Sequence, residues 1–108
     1  MNESKQKQLI ESGTFKDNNG AIMRLFNMAV YKYYKIKEVM YALPYITKED
    51  ILKSMDYLSG EGYLKVRNIL TKESADISDG SYDELEAKLS PKGTKLLECA
   101  ITDPLVDL

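Results

Sequence analysis

Apolar residues return every three or four positions between Gly20 and Tyr34. Ile22, Leu25, Phe26, Ala29, Val30 and Tyr33 share one broad stripe, and Arg24, Asn27 and Lys32 fall mostly opposite. That spacing predicts an amphipathic helix over about 20–34. Asp17-Asn18-Asn19-Gly20 ahead of it offers side-chain oxygens as N-caps. Residues 1–19 are polar, with only Leu9, Ile10 and Phe15 as anchors, and read as a frayed arm or a short helix ending at Gly13. A second, short helix fits Lys37 to Leu43, with Val39, Met40 and Leu43 inward and Pro44 as its stop. Thr47 with Asp50 three residues on is a relative of the capping box. It opens a third helix to about Ser59, whose apolar face is Ile51, Leu52, Met55 and Leu58. Gly60 and Gly62 are placed to end it in left-handed geometry.

The period then changes to two. Leu64 and Val66 alternate with Lys65 and Arg67, and Leu85, Ala87 and Leu89 alternate with Glu86 and Lys88. Two such runs joined by a Ser-, Asp- and Gly-rich segment predict a β-hairpin, with a long and mobile loop over about 71–83. Ser90-Pro91 opens a last helix as cap and first-turn proline, with Leu96, Leu97 and Ala100 on its apolar side and Pro104 ending it. The pattern describes one mainly α domain with a small β-hairpin over 20–102, preceded by the arm 1–19 and followed by a tail at 103–108.

A length of 108 residues suits one domain, and 44% apolar with 30% charged residues is ordinary for a globular chain. The polar start predicts no secretory leader, and no run is apolar enough to span a bilayer. With Cys99 as the single cysteine, a reducing cytoplasm is the expected location and no membrane partner is expected. Histidine is absent, which removes Ser-His-Asp and Cys-His sites, imidazole bases and His-ligated zinc. The six glycines stand singly, so no phosphate cradle forms. The expectation is a protein that is not an enzyme and needs no metal or cofactor.

Two phrases carry a family resemblance. "KEDILKSMDYLSGEGYLKVR", with its Gly62-Tyr63-Leu64 step, resembles the end of the second motif helix and the first wing strand of bacterial regulators of the MarR and PadR type. "AKLSPKGTKLLE" resembles the phrase that closes the wing and opens the next helix, with Leu89, Ser90, Lys92, Gly93 and Leu97 in matching roles. The resemblance covers 37–98 and implies a winged helix-turn-helix and a small homodimeric transcriptional regulator. In such a protein the third helix meets DNA. Its candidate contacts are Lys35, Lys37, Thr47, Lys48, Lys53, Ser54 and Tyr57, with Lys65 and Arg67 at the wing base.

Charge complicates that inference. Residues 21–48 carry five cations against Glu38, whereas residues 68–89 carry two lysines against six acids. The third helix has no Arg, Asn or Gln for bidentate base readout. Two readings therefore stand. One is DNA binding through the third helix and nearby lysines. The other is a winged-helix module that docks a protein through its acidic wing at Asp76, Asp79 and Asp83. Tyr31, Tyr33 and Tyr34 beside Lys32 and Lys35 suggest a stacking platform for bases, against ordinary packing as the simpler account. Arg67 is placed to face Glu86 across the hairpin.

Overall fold

The computed structural model describes residues 3–108. Among these, four helices pack around a small three-stranded antiparallel sheet. The order is α1 (Glu3–Asn27), β1 (Tyr34–Lys35), α2 (Ile36–Ala42), α3 (Lys48–Gly60), β2 (Leu64–Asn68), β3 (Leu85–Leu89) and α4 (Pro91–Leu97), with a 3-10 turn at Tyr82–Glu84 before β3. The strands run β1-β3-β2, so β3 is central.

Helix α1 differs most from the pattern-based expectation. It begins at Glu3, runs through Gly13 and Gly20, and stops at Asn27 rather than Tyr34. Single-turn bonds follow, Met28 N–H to the Leu25 carbonyl and Lys32 N–H to that of Ala29. The chain then extends so that Tyr34 pairs with Ala87 and Lys35 with Glu86. A stretch of valine and tyrosines suits a strand as well as a helix, and the partner strand lies some fifty residues away, beyond any local periodicity. Ile22 and Phe26 keep their predicted core places, whereas Val30 is exposed and Tyr33 turns to the outside of the sheet. The first half of α1 projects from the body, leaving Leu9 and Ile10 exposed.

The other caps follow their side-chain chemistry. Thr47 Oγ1 accepts from Asp50 N–H at 3.2 Å, and Ser90 Oγ accepts from Gly93 N–H at 3.0 Å. Helix α3 closes in Schellman geometry: Gly62 has φ +85°, its N–H bonds the Ser59 carbonyl, and Tyr63 N–H reaches the Leu58 carbonyl. Pairing of Val66 with Ala87 and Leu64 with Leu89 turns those side chains onto the helices. The core gathers Ile22, Met23, Phe26, Ile36, Val39, Ile51, Met55, Leu58 and Leu85, all essentially free of solvent contact. Phe26 meets Tyr34 edge to face with ring centroids 5.5 Å apart, which seals β1 onto α1.

Two connecting segments are more ordered than their composition suggests. The first part of the hairpin loop folds back on β2. Asn68 Oδ1 accepts from the N–H groups of Leu70 and Thr71, Ala75 N–H bonds the Val66 carbonyl, and Arg67 bridges to Ser74. The last helix ends at Leu97 rather than near Pro104, and Ala100 is exposed. The segment from Asp103 onward closes over α1 as a strap. Asn19 Nδ2 donates to the Leu105 carbonyl at 2.8 Å, Asp107 N–H to that of Lys16, and Val106 is buried. A Cβ at Gly20 would collide with the Asp107 carbonyl, so glycine permits the approach.

Candidate nucleic-acid interface

The nine candidate contacts do not form one surface. Thr47, Lys48 and Lys53 lie on the exposed side of α3, with Lys37 nearby on α2. Lys35, Lys65 and Arg67 share the outer face of the sheet, because Lys35 and Arg67 flank Glu86 from opposite sides and Lys65 pairs with Lys88 in the next row of the same face.

Two candidates are corrected by their surroundings. Ser54 is fully buried, its hydroxyl finds no hydrogen-bond partner among the described residues, and it cannot reach a phosphate. Helical geometry puts position 54 beside Met55 and Leu58 on the packed side, which the leading-edge assignment overlooked. Tyr57 is half-buried and committed inward: its hydroxyl donates to Asp103 Oδ2 at 2.6 Å and its ring meets Phe15 edge-on. Burial, then the bond to Asp103, holds the Tyr57 hydroxyl well above the usual phenol range. Replacing Ser54 with alanine should therefore stabilise the fold by about 1 kcal/mol, raising Tm by roughly 5 °C, because it removes an unpaired buried hydroxyl. A thermal melt checks this, and a fall in Tm would mean that the hydroxyl has a partner.

On the α2–α3 side, charge is balanced and partly engaged. Lys37 Nζ lies 3.7 Å from Asp83, Lys48 Nζ sits 4.3 Å over the Tyr82 ring, and Lys53 Nζ 4.7 Å over the Phe15 ring. Glu49 and Asp56 share the exposed side with them. One acid of the hairpin loop, Asp83, thus reaches back onto α2, an arrangement set by the 3-10 turn and invisible in the segment charges.

The outer face of the sheet is different in kind. Glu86 is 7% exposed at its centre. Its Oε2 binds Arg67 Nε at 2.6 Å and Lys72 Nζ at 3.4 Å. The Arg67 guanidinium also lies 3.4 Å from the centroid of the Tyr33 ring, a stacked arrangement typical of arginine. So Arg67 does face Glu86, as hairpin register implied. Lys72, Lys88 and Tyr33 belong to this cluster and were not among the candidate contacts. The hairpin alternation already put Lys88 on one face with Lys65, but the third strand was needed to bring in Lys35 and Tyr33.

Among the described residues, no group of His, Cys, Asp and Glu side chains could hold a metal ion, and no helix is long and apolar enough to cross a membrane. Comparison of the chain with protein-family models, curated proteins and solved structures gave no match.

Proposed function

We propose that this chain is a winged helix-turn-helix protein that binds DNA as a small cytoplasmic transcriptional regulator. The observation that carries the reading is the succession of α1, α2, a five-residue turn containing Pro44, α3 and the β2–β3 hairpin around one core. That is the order in which a helix-turn-helix presents its second motif helix to the major groove. Thr47, Lys48 and Lys53 on α3, with Lys37 beside them, are the contacts assigned to duplex DNA. Glu49 and Asp56 on the same side, and Asp83 on Lys37, favour modest affinity carried by phosphate neutralisation over tight base readout.

A homodimer accompanies this reading, since palindromic half-sites match a twofold protein. The projecting half of α1, with Leu9 and Ile10 exposed, supplies an apolar surface for it. Sedimentation equilibrium tests this part, and a monomer at micromolar concentration would count against it.

The central test is a fluorescence-anisotropy titration of duplex DNA fragments at low and moderate salt. The double substitution Lys48→Gln, Lys53→Gln is expected to weaken duplex binding about tenfold and to flatten the salt dependence by roughly two phosphate contacts. Absence of duplex binding by the wild-type chain at low salt would sink the proposal.

A further inference from the structure

We propose that the outer face of the sheet is a binding surface for single-stranded nucleic acid, separate from α3. Lys65 and Lys88 stand directly opposite each other across β2 and β3. Like charges at such paired positions repel, and among the described residues neither lysine has a carboxylate within ion-pair distance. Glu86 brings a single negative charge to the face, shared by Arg67 and Lys72 and lying opposite Lys35, so the face keeps a positive excess centred on Lys65 and Lys88 in the next row. An anion bound between the opposed lysines relieves their repulsion.

The shape of the face says which anion. Two grooves meet at Lys65. One, of about 470 Å³, is lined by Tyr33, Arg67, Lys72 and Ser74. The other, of about 460 Å³, is lined by Tyr31, Lys88, Pro91 and Thr94. Tyr31 is 84% exposed, and among the described residues its ring packs on no other aromatic or cation. An uncovered aromatic ring in one groove with two lysines is a stacking platform for an unpaired base, with the lysines on the phosphates. A duplex keeps its bases stacked on one another and offers nothing to Tyr31. An acidic peptide has carboxylates for the lysines but no π-face for the ring. The loop end of the face carries Asp76, so the strand would lie toward the Lys65, Lys88 and Tyr31 end.

Anisotropy of a labelled oligothymidylate at low and moderate salt tests this directly. Lys65→Gln with Lys88→Gln should weaken binding at least tenfold and reduce the slope against log salt by about 1.4, two phosphates at about 0.7 each. Tyr31→Ala should weaken it about fivefold or more with the salt slope unchanged, which a general loss of structure would not produce. Lys48→Gln with Lys53→Gln should leave single-strand binding within twofold. If duplex binding fails while these results hold, the sheet site stands without the helix-turn-helix reading. The sheet proposal is overturned if the oligothymidylate does not bind at low salt, if the Lys65 and Lys88 variant binds as tightly as wild type, if the α3 variant loses single-strand binding equally, or if polyglutamate or a duplex of equal length competes as well as the single strand.

Discussion

Replacing Glu86 with glutamine is expected to lower the stability of the domain and, at the same time, to tighten its hold on polyanions. Glu86 is 7% exposed on the central strand, and its carboxylate anchors Arg67 at 2.6 Å and Lys72 at 3.4 Å. Removing one partner of a buried pair costs roughly 3–5 kcal/mol when both charges are desolvated. Here the side chains of Arg67 and Lys72 keep 28% and 53% of their exposure, so solvent screens part of the interaction. A loss of about 2–3 kcal/mol is the consistent figure, seen as a fall in Tm of roughly 10–15 °C. Glutamine conserves shape and can still accept a hydrogen bond from Arg67, so the loss reflects charge. The freed cations would add to Lys35, Lys65 and Lys88, strengthening oligothymidylate binding several-fold and steepening its salt dependence. A variant that melts like wild type would show that the pair is energetically idle. One that binds single strands more weakly would mean that Glu86 positions Arg67 for the ligand.

The second large effect is expected at Asp103. Its Oδ2 accepts from the hydroxyls of Tyr57 at 2.6 Å and Tyr63 at 2.7 Å, and its Oδ1 from Leu105 N–H at 2.8 Å. One carboxylate thereby ties the C-terminal strap to α3 and to the start of β2. Asp103→Ala would leave two hydroxyls and an amide without their acceptor, a destabilisation of about 3 kcal/mol from lost charge-assisted bonds. Urea melts across pH give the signature. Burial alone would raise the Asp103 pKa, but the bonds from Tyr57, Leu105 and Tyr63 and the nearby Lys92 outweigh it and hold the carboxyl below the usual range. A folded pKa lower than the unfolded one adds stability above the unfolded value, and that stability is lost as the pH falls through the folded pKa. The gap between wild type and variant should therefore be full at neutral pH and close on strong acidification.

The alkaline limb runs the other way. Burial first, then the bond to Asp103, pushes the Tyr63 hydroxyl up to about 12. Its contribution is complete below the unfolded value of about 10 and disappears as the pH climbs through 12. Tyrosinate absorbance would follow this directly. A gap between wild type and variant that is flat from acid to alkali would show that the carboxylate does not hold the strap.

Much of the local structure was legible because its causes are local. Thr47 and Ser90 announce helix starts through a side-chain oxygen three residues from the amide it caps, and Gly62 marks the left-handed turn that ends α3. The alternation around Leu64 and Ala87 sets the inward face of the hairpin and with it the Arg67–Glu86 contact. Absence of histidine removes whole classes of chemistry whatever the fold. Ser54 was within reach of spacing, three residues after Ile51 and four before Leu58, and its polar side chain rather than its position pointed it outward.

Long-range pairing decided the rest. Nothing near Tyr34 and Lys35 distinguishes a helix end from a strand until β3 lies alongside to take their hydrogen bonds. That one pairing shortens α1 and places Lys35 and Tyr33 with Lys65, Arg67 and Lys88. The basic character of the sheet is accordingly a property of three segments brought side by side, the central one drawn from the acidic stretch 68–89. The strap is similar, because Asp103 acquires its role only against Tyr57 and Tyr63, and Gly20 only where the segment from Asp103 onward crosses α1. Composition, caps and periodicity determined the elements and most of the core. Tertiary structure decided which charges stand together, because Coulomb interaction depends on distance in space and takes no account of separation along the chain.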